Sequence, residues 1–504
     1  MHAPLTRVVV IFLLTVLFLA TPEPILAQRA TPAAPTEALR VTSTNDGGEG
    51  TLRWAIERNN MAPGSYRIEV DPAGPPPYTI ELVAPLPPIK GPVQIEGAAW
   101  KRSGHLVAID GSGYIADKGL QTCPGAVPGQ YGANVRTTTD PGLTLVDTQG
   151  VEISGLEIRN FCIGVLIHRS SGNTIRDNRI VGNRGGAGVM LTGDDGNGNP
   201  TTGTTQHNKV MRNEFVDNGD GLELTRGAAF NLIADNIFRA TADAQEPSQG
   251  IEILLGHDNV VVNNHFEGYS DGIQVNGGHR NYIGANTFTN NALGLSLSGS
   301  GNIIEGNRIF GNAVGVAVRP AAAMTVARIT RNSIHHNGLP IERCWSGGSC
   351  DPKLRRGGIV LGVPSGEHAS YVGKRGGGVA VDPAKLAKIC PGGAPACQGP
   401  PNGGIAAPVL DSARHIARQL MVEGHLEATS LSRFTVELFA NSLDGTEGDV
   451  FLGAVAAATD ASGHAKFSLT MRGMPLMPGM TFTATATSSD GATSEFSQPL
   501  AAFR

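Results

Sequence analysis

Four acidic residues recur at matching places in neighbouring copies of one short phrase. Asp220 and Glu223 stand in Asp-Gly-Leu-Glu-Leu, Glu252 in Gly-Ile-Glu-Ile, and Asp271 immediately before Gly272. Carboxylates brought close together share a proton or hold a cation, and their repulsion raises the pKa of one, which suits a general acid. Glu223, Glu252, Asp220 and Asp271 are therefore the candidate catalytic set, of the kind that cleaves sugars with paired carboxylates. Gln274, Asn276, Thr225 and Arg319 fall at equivalent outward positions and are candidates for holding a substrate. Asp194-Asp195, in a neighbouring loop, offers the oxygen ligands that calcium takes. The competing reading is an ordinary solvated sheet face, on which such residues are common.

The repeat that positions these residues runs from Asn173 to Ile334. It reads NTIRDNRI at 173–180, NKVMRNEF at 208–215, NLIADNIF at 231–238, NVVVNNHF at 259–266, NYIGANTF at 281–288 and NIIEGNRI at 302–309. A Gly-led phrase alternates with it: GLEL, GIEI, GIQV, GLSL and GVAV. The second asparagines, at 178, 213, 236, 264, 286, 307 and 332, are spaced 35, 23, 28, 22, 21 and 25 residues apart, a base period of about 21–22 with insertions. Apolar residues alternate with period 2 and nowhere keep a helical period. Each repeat thus supplies short strands that fold only by stacking on their neighbours. The asparagines are expected at bends, with left-handed backbone and amides bonded between coils. A charged fraction of 16%, 5% aromatics and 67 glycines fit a thin, repetitive β core.

Over 145–342 this pattern resembles the right-handed parallel β-helix of the pectate-lyase-like superfamily, in particular its carbohydrate-binding and sugar-hydrolase repeat group. The resemblance implies an all-β solenoid over 72–342 and leaves activity open, because that fold hosts lyases, hydrolases, epimerases and adhesins. Ser270-Asp271-Gly272 and Gly193-Asp194-Asp195 resemble two motifs of the pectin-cleaving glycosidases, in reversed order and without the third. Residues 39–71 are similar to a cap domain named for a Cys-Ser-Leu-Arg-Glu-Ala motif, here Gly50-Thr51-Leu52-Arg53-Trp54-Ala55, with a short helix at 52–60. Arg53 is expected in a cap-stabilising ion pair. From 405 to 504, five strand-like runs separated by turns indicate an immunoglobulin-like β-sandwich. Residues 343–404 read as irregular loops, with an accessible linker around 391–404.

Arg7, an apolar run from Val8 to Ala20 and Ile25-Leu26-Ala27 read as a secretory signal over 1–27, followed by a linker at 28–38. Six cysteines suit an oxidising compartment. Cys344 with Cys350 and Cys390 with Cys397 are near enough to staple local loops, leaving Cys123 with Cys162, one pairing among fifteen. A net charge of −5 without basic runs disfavours nucleic acid. No later stretch is long enough for a membrane span. The expectation is a secreted, periplasmic or cell-surface protein that engages polysaccharide along its strand face. The alternatives are a polysaccharide lyase, epimerase or glycosidase acting through the acidic coils, and a surface-structural or adhesin-like protein. The sequence leaves the oligomeric state open.

Overall fold

The computed structural model describes residues 37–502, apart from 114–122, 124–140, 196–198, 202, 242–243, 245–247, 320–324, 339–356, 362–400, 417–418, 443–444 and 474–476. Three parallel sheets of eleven, ten and nine strands wind into a solenoid, each strand pairing with its equivalent one coil on. The first sheet runs from Glu37–Val41 to Val326–Thr330, the second from Tyr78–Glu81 to Ser333–His335, and the third from Leu143–Val146 to Gly357–Leu361. The solenoid therefore starts earlier than expected. Glu37–Val41 and Tyr66–Val70 pair in parallel as the first strands of the first sheet, and helix Leu52–Met61 closes that end with Leu52, Ala55 and Ile56 buried. It also ends later, because Gly357–Leu361 pairs with Val314–Val318 inside the stretch read as irregular. Arg53 pairs with Asp46 at 2.6 Å and donates to the carbonyls of Pro85 and Ala84, a structural role.

The expected asparagine ladder exists, and there are three of them, one at each corner. Asn178 to Asn332 stack between the first and second sheets, each backbone N–H donating to the Oδ1 of the asparagine one coil on, at 2.8–3.0 Å. Asn173, Asn208, Asn231, Asn259, Asn281 and Asn302 do the same before the first sheet. The expected backbone geometry shifts by one residue. The left-handed residue is the one before each asparagine, as at Asp177, Arg212, Asp235, Asn263 and Ala285, with φ between 54° and 57°. The asparagine amide saturates the buried polar groups that each bend exposes. The third ladder joins Asn183 to Asn218, and then Tyr269 to Asn291, Asn312 and Asn337.

Inside, Phe215, Phe238, Phe266 and Phe288 stack face to face at 4.5–4.9 Å, the strand spacing. That stack explains the Gly-led phrase. A Cβ on Gly221, Gly250 or Gly272 would lie within 2.7 Å of a phenylalanine ring and of the next coil's glycine carbonyl. Bare backbone at these positions lets the rings and coils close up, and the residue before each glycine is left on the outer face.

The C-terminal residues form two antiparallel sheets, Val409–Ile416/Gln419–Glu427/His464–Arg472 and Val450–Ala458/Arg433–Asn441/Thr481–Ser488/Leu500–Ala501. They close the solenoid. Asn402 extends the ladder of Asn173 to Asn302 by accepting from Ala327 N at 2.8 Å, and Thr493 Oγ1 accepts from Ile329 N. Glu437 accepts from Arg331 N, and Glu447 accepts from Asn337 N at the end of the third ladder. Pro401 and Asn402 are buried and Gly403 and Gly404 are exposed, while residues 391–400 of the expected linker lie outside the described residues. The Cys123–Cys162 disulfide is present, with Cα atoms 5.4 Å apart; Cys344, Cys350, Cys390 and Cys397 lie outside the described residues.

Candidate functional site

The strand register of the third sheet places the acidic residues as the alternation implied. Leu166, Met190, Glu223, Glu252, Gln274, Ser296 and Ala317 are successive partners in one outward column. Neither insertion, at 193–206 or at 240–249, breaks it. Asp220, Gln249 and Asp271 precede the inward glycines and share the outer side.

Three of the four carboxylates converge. Oxygen atoms of Asp220, Glu223 and Glu252 all lie within 4.8 Å of one another. Among the described residues this is the one cluster of three or more ligand-type side chains that could hold an ion, and its oxygens suit a hard divalent cation. Asp271 is on the same face but outside the cluster; it is fully buried and accepts from Gln274 Nε2 at 3.3 Å. Asp194 and Asp195 are not brought to the cluster. Asp194 is buried and accepts from Thr192 Oγ1 at 2.7 Å, and Asp195 holds its own turn through Asn199.

Burial pushes the Glu252 carboxyl up to about 7, and the negative charge of Asp220 adds to the effect. The charges of Arg226 and Arg319 and a hydrogen bond from Asn276 oppose it. Near neutral pH this group is thus poised to give or take a proton, whereas an ordinary carboxylate would be fully ionised. Arg319, one column over, donates through Nη2 to the carbonyl of Val275 at 2.9 Å, and burial holds its pKa below the usual arginine value. Thr225 is buried and its Oγ1 accepts from Arg226 Nη1. Of the expected binding residues, Asn276 and Arg319 act on Glu252, Gln274 is its register partner, and Thr225 supports Arg226.

This face differs from a solvated strand surface. Leu166, Met190, Glu223, Gln274, Ser296 and Ala317 point outward yet are at most 9% exposed. Outward residues of the other two sheets, such as Lys209, Val260, Ile237 and Arg308, remain exposed. Within the acidic cluster Glu223 is buried, Asp220 and Glu252 are partly exposed, and Asn276 beside them is exposed. Sequence reading also passed over Tyr269, which occupies a ladder position immediately before the strand Asp271–Asn276. Its ring is fully buried, its hydroxyl has no hydrogen-bond partner among the described residues, and burial raises its pKa. The available signal was the lapse of asparagine between Asn218 and Asn291.

The fold and this face define a right-handed parallel β-helix protein with a carboxylate cluster on the outer side of its third sheet. Residues 131–266 match the family described as right-handed beta helix region, and residues 240–347 match the periplasmic copper-binding protein (NosD) family. Over 457 residues, 90% of this chain and 92% of the relative, the sequence is 52% identical to the 3-dehydroshikimate dehydratase of Acinetobacter baylyi, and the chain belongs to that protein's family. Solved structures that it resembles include the periplasmic alginate epimerase AlgG, at 14% identity and TM-score 0.32 over 49% of this chain and 54% of that one. The Dettilon tailspike protein matches at 11% identity and TM-score 0.36 over 91% and 92%. At such scores these two structures bear on neither substrate nor chemistry.

Proposed function

We propose that this protein is an exported dehydratase acting on 3-dehydroshikimate or a closely similar small cyclic oxo acid, with Asp220, Glu223 and Glu252 carrying the proton transfers. The observation that carries the reading is the convergence of Asp220, Glu223 and Glu252 within 4.8 Å of one another, with the Glu252 carboxyl pushed up to about 7. An ionised and a protonated carboxyl on so small a patch suit proton transfers at adjacent atoms of one small ring. The family relationship supplies the substrate class. Export is supported by the apolar N-terminal run and the Cys123–Cys162 bond.

The chemistry follows from the substrate's functional groups. An ionised carboxylate, Asp220 or Glu223, takes the proton from the ring carbon α to the ketone, and the electron pair becomes an enolate. As the enolate collapses, the hydroxyl on the next carbon leaves with a proton from Glu252, releasing one water. Loss of a further ring proton to the ketone oxygen makes the ring aromatic and gives 3,4-dihydroxybenzoate. One group must be ionised while its neighbour keeps a proton at the same pH, and environments that push the two apart produce that division.

The test is to incubate the purified protein with 3-dehydroshikimate and, separately, with a panel of polysaccharides. Proton NMR of the small-acid reaction should show aromatic product growing as substrate is lost. Reducing-end release or unsaturated products from a polysaccharide, with the small acid untouched, would sink the reading in favour of a polysaccharide-active protein.

A further inference from the structure

The carboxylates on this face repel an anionic substrate, and a cation on the same face offsets that repulsion. Asp220, Glu223, Glu252 and Asp271 line this side of the sheet, and the charges that reach Glu252 with opposite sign are those of Arg226 and Arg319. Arg226 follows its strand in a left-handed turn, φ 50°, and Nη1 is engaged by the adjacent Thr225. Arg319 is held differently. Its backbone continues the strand Val314–Val318, where Val318 is the partner of Leu297. Its Nη2 nevertheless reaches back, to Ser298 Oγ one coil away at 3.4 Å and to Val275 O two coils away at 2.9 Å. The guanidinium therefore stands at the level of the coil Asp271–Asn276, one coil from Glu252, whose register partner is Gln274.

Resting on the dehydratase reading, we infer that Arg319 is the specificity-determining residue that receives the ring carboxylate of the substrate. The dimensions agree. Coils are about 4.8 Å apart, and in 3-dehydroshikimate the carbon that must lose its proton lies across the ring from the carboxyl-bearing carbon, so the carboxylate oxygens and the reacting carbon can face successive coils. A carboxylate on Arg319 places the reacting carbon and its neighbouring hydroxyl over Glu252 and the other two carboxylates. A planar fork fixed by a backbone carbonyl suits this task, because it offers paired donors with little ordering left to do on binding. Ser296, in the outward column next to Gln274, is fully buried, and its hydroxyl has no hydrogen-bond partner among the described residues.

The experiment compares 3-dehydroshikimate with its methyl ester on wild type, R319K and R319Q, after checking that thermal unfolding midpoints agree. Wild type should prefer the acid strongly. R319Q should raise KM for the acid about 10–100-fold, with a smaller change in kcat, and should handle acid and ester alike. R319K keeps the charge without the fork and should fall between, and it decides the matter if R319Q does not fold. A variant of Arg319 that keeps the full wild-type preference for acid over ester overturns the inference while leaving the dehydratase reading standing. Absence of turnover by wild type overturns both.

Discussion

Glu252 owes its high proton affinity to two causes that act in the same direction, burial first and the Asp220 charge second. The consequence for rate has a definite sign. As the proton donor to the leaving hydroxyl, Glu252 must be protonated, so kcat should fall as pH rises through about 7. Removing the Asp220 charge in D220N should move that limb to lower pH, because ionising Glu252 becomes easier. A pH–rate series on both proteins checks this, and a limb that stays in place would show that another group sets it. At this scale the sequence was informative about position and silent about environment. Period-2 alternation and the glycine before each strand were enough to align Glu223 with Glu252 and to put Asp220 beside them. The long reach of Arg319 to Val275 was invisible, since a side chain crossing two coils leaves no trace in spacing. The diversion of Asp194 to Thr192 depends on a loop conformation that the repeat does not dictate.

The repeating element is a strand, a bend with one left-handed residue, and an asparagine that ties the bend to the next coil. Asn264 shows the accounting. Its Oδ1 accepts from Asn236 N and Nδ2, while its own Nδ2 donates to Ile233 O and Asn286 Oδ1. N264A strands several buried polar groups at once, and denaturant unfolding should show a loss of about 1–3 kcal/mol or more. Tyr269 is the contrasting case, a buried hydroxyl without a hydrogen-bond partner among the described residues. Burying such a group carries a cost, so Y269F should leave stability unchanged or raise it by about 1 kcal/mol. A marked loss of stability in Y269F would mean that the hydroxyl is bonded in solution. The asparagine spacing made the ladder from Asn178 to Asn332 legible. The ladder from Asn173 to Asn302 has the same successive gaps, whereas the third is interrupted where Tyr269 takes an asparagine's place. The left-handed residue was harder to read, because Asp177, Arg212, Asp235, Asn263 and Ala285 have no single side-chain type in common.

At the scale of the molecule, the C-terminal sheets are part of the solenoid's stability, since Asn402, Thr493, Glu437 and Glu447 take up N–H groups at its last coil. The five strand-like runs foretold a sandwich, but what it packs against depends on contacts far apart in sequence. Burial raises the pKa of both Glu437 and Glu447 above the ordinary carboxylate value. The native state therefore holds these protons to higher pH than the unfolded chain does. Stability should fall as pH rises from the unfolded value of about 4.3 through the raised native values, and recover as pH falls again. Urea unfolding of E447Q over the same range should show a shallower dependence; an unchanged slope would assign the effect elsewhere. The burial along the outer face of the third sheet was likewise beyond the sequence, and the proposed dehydratase chemistry rests on the three carboxylates that converge there. The most direct measurement of that claim is turnover of 3-dehydroshikimate by wild type and by the double variant E223Q/E252Q, which keeps shape while removing charge. The account predicts aromatic product from wild type and a loss of about 10²–10⁴-fold in the folded variant. Equal turnover by the two proteins would contradict it.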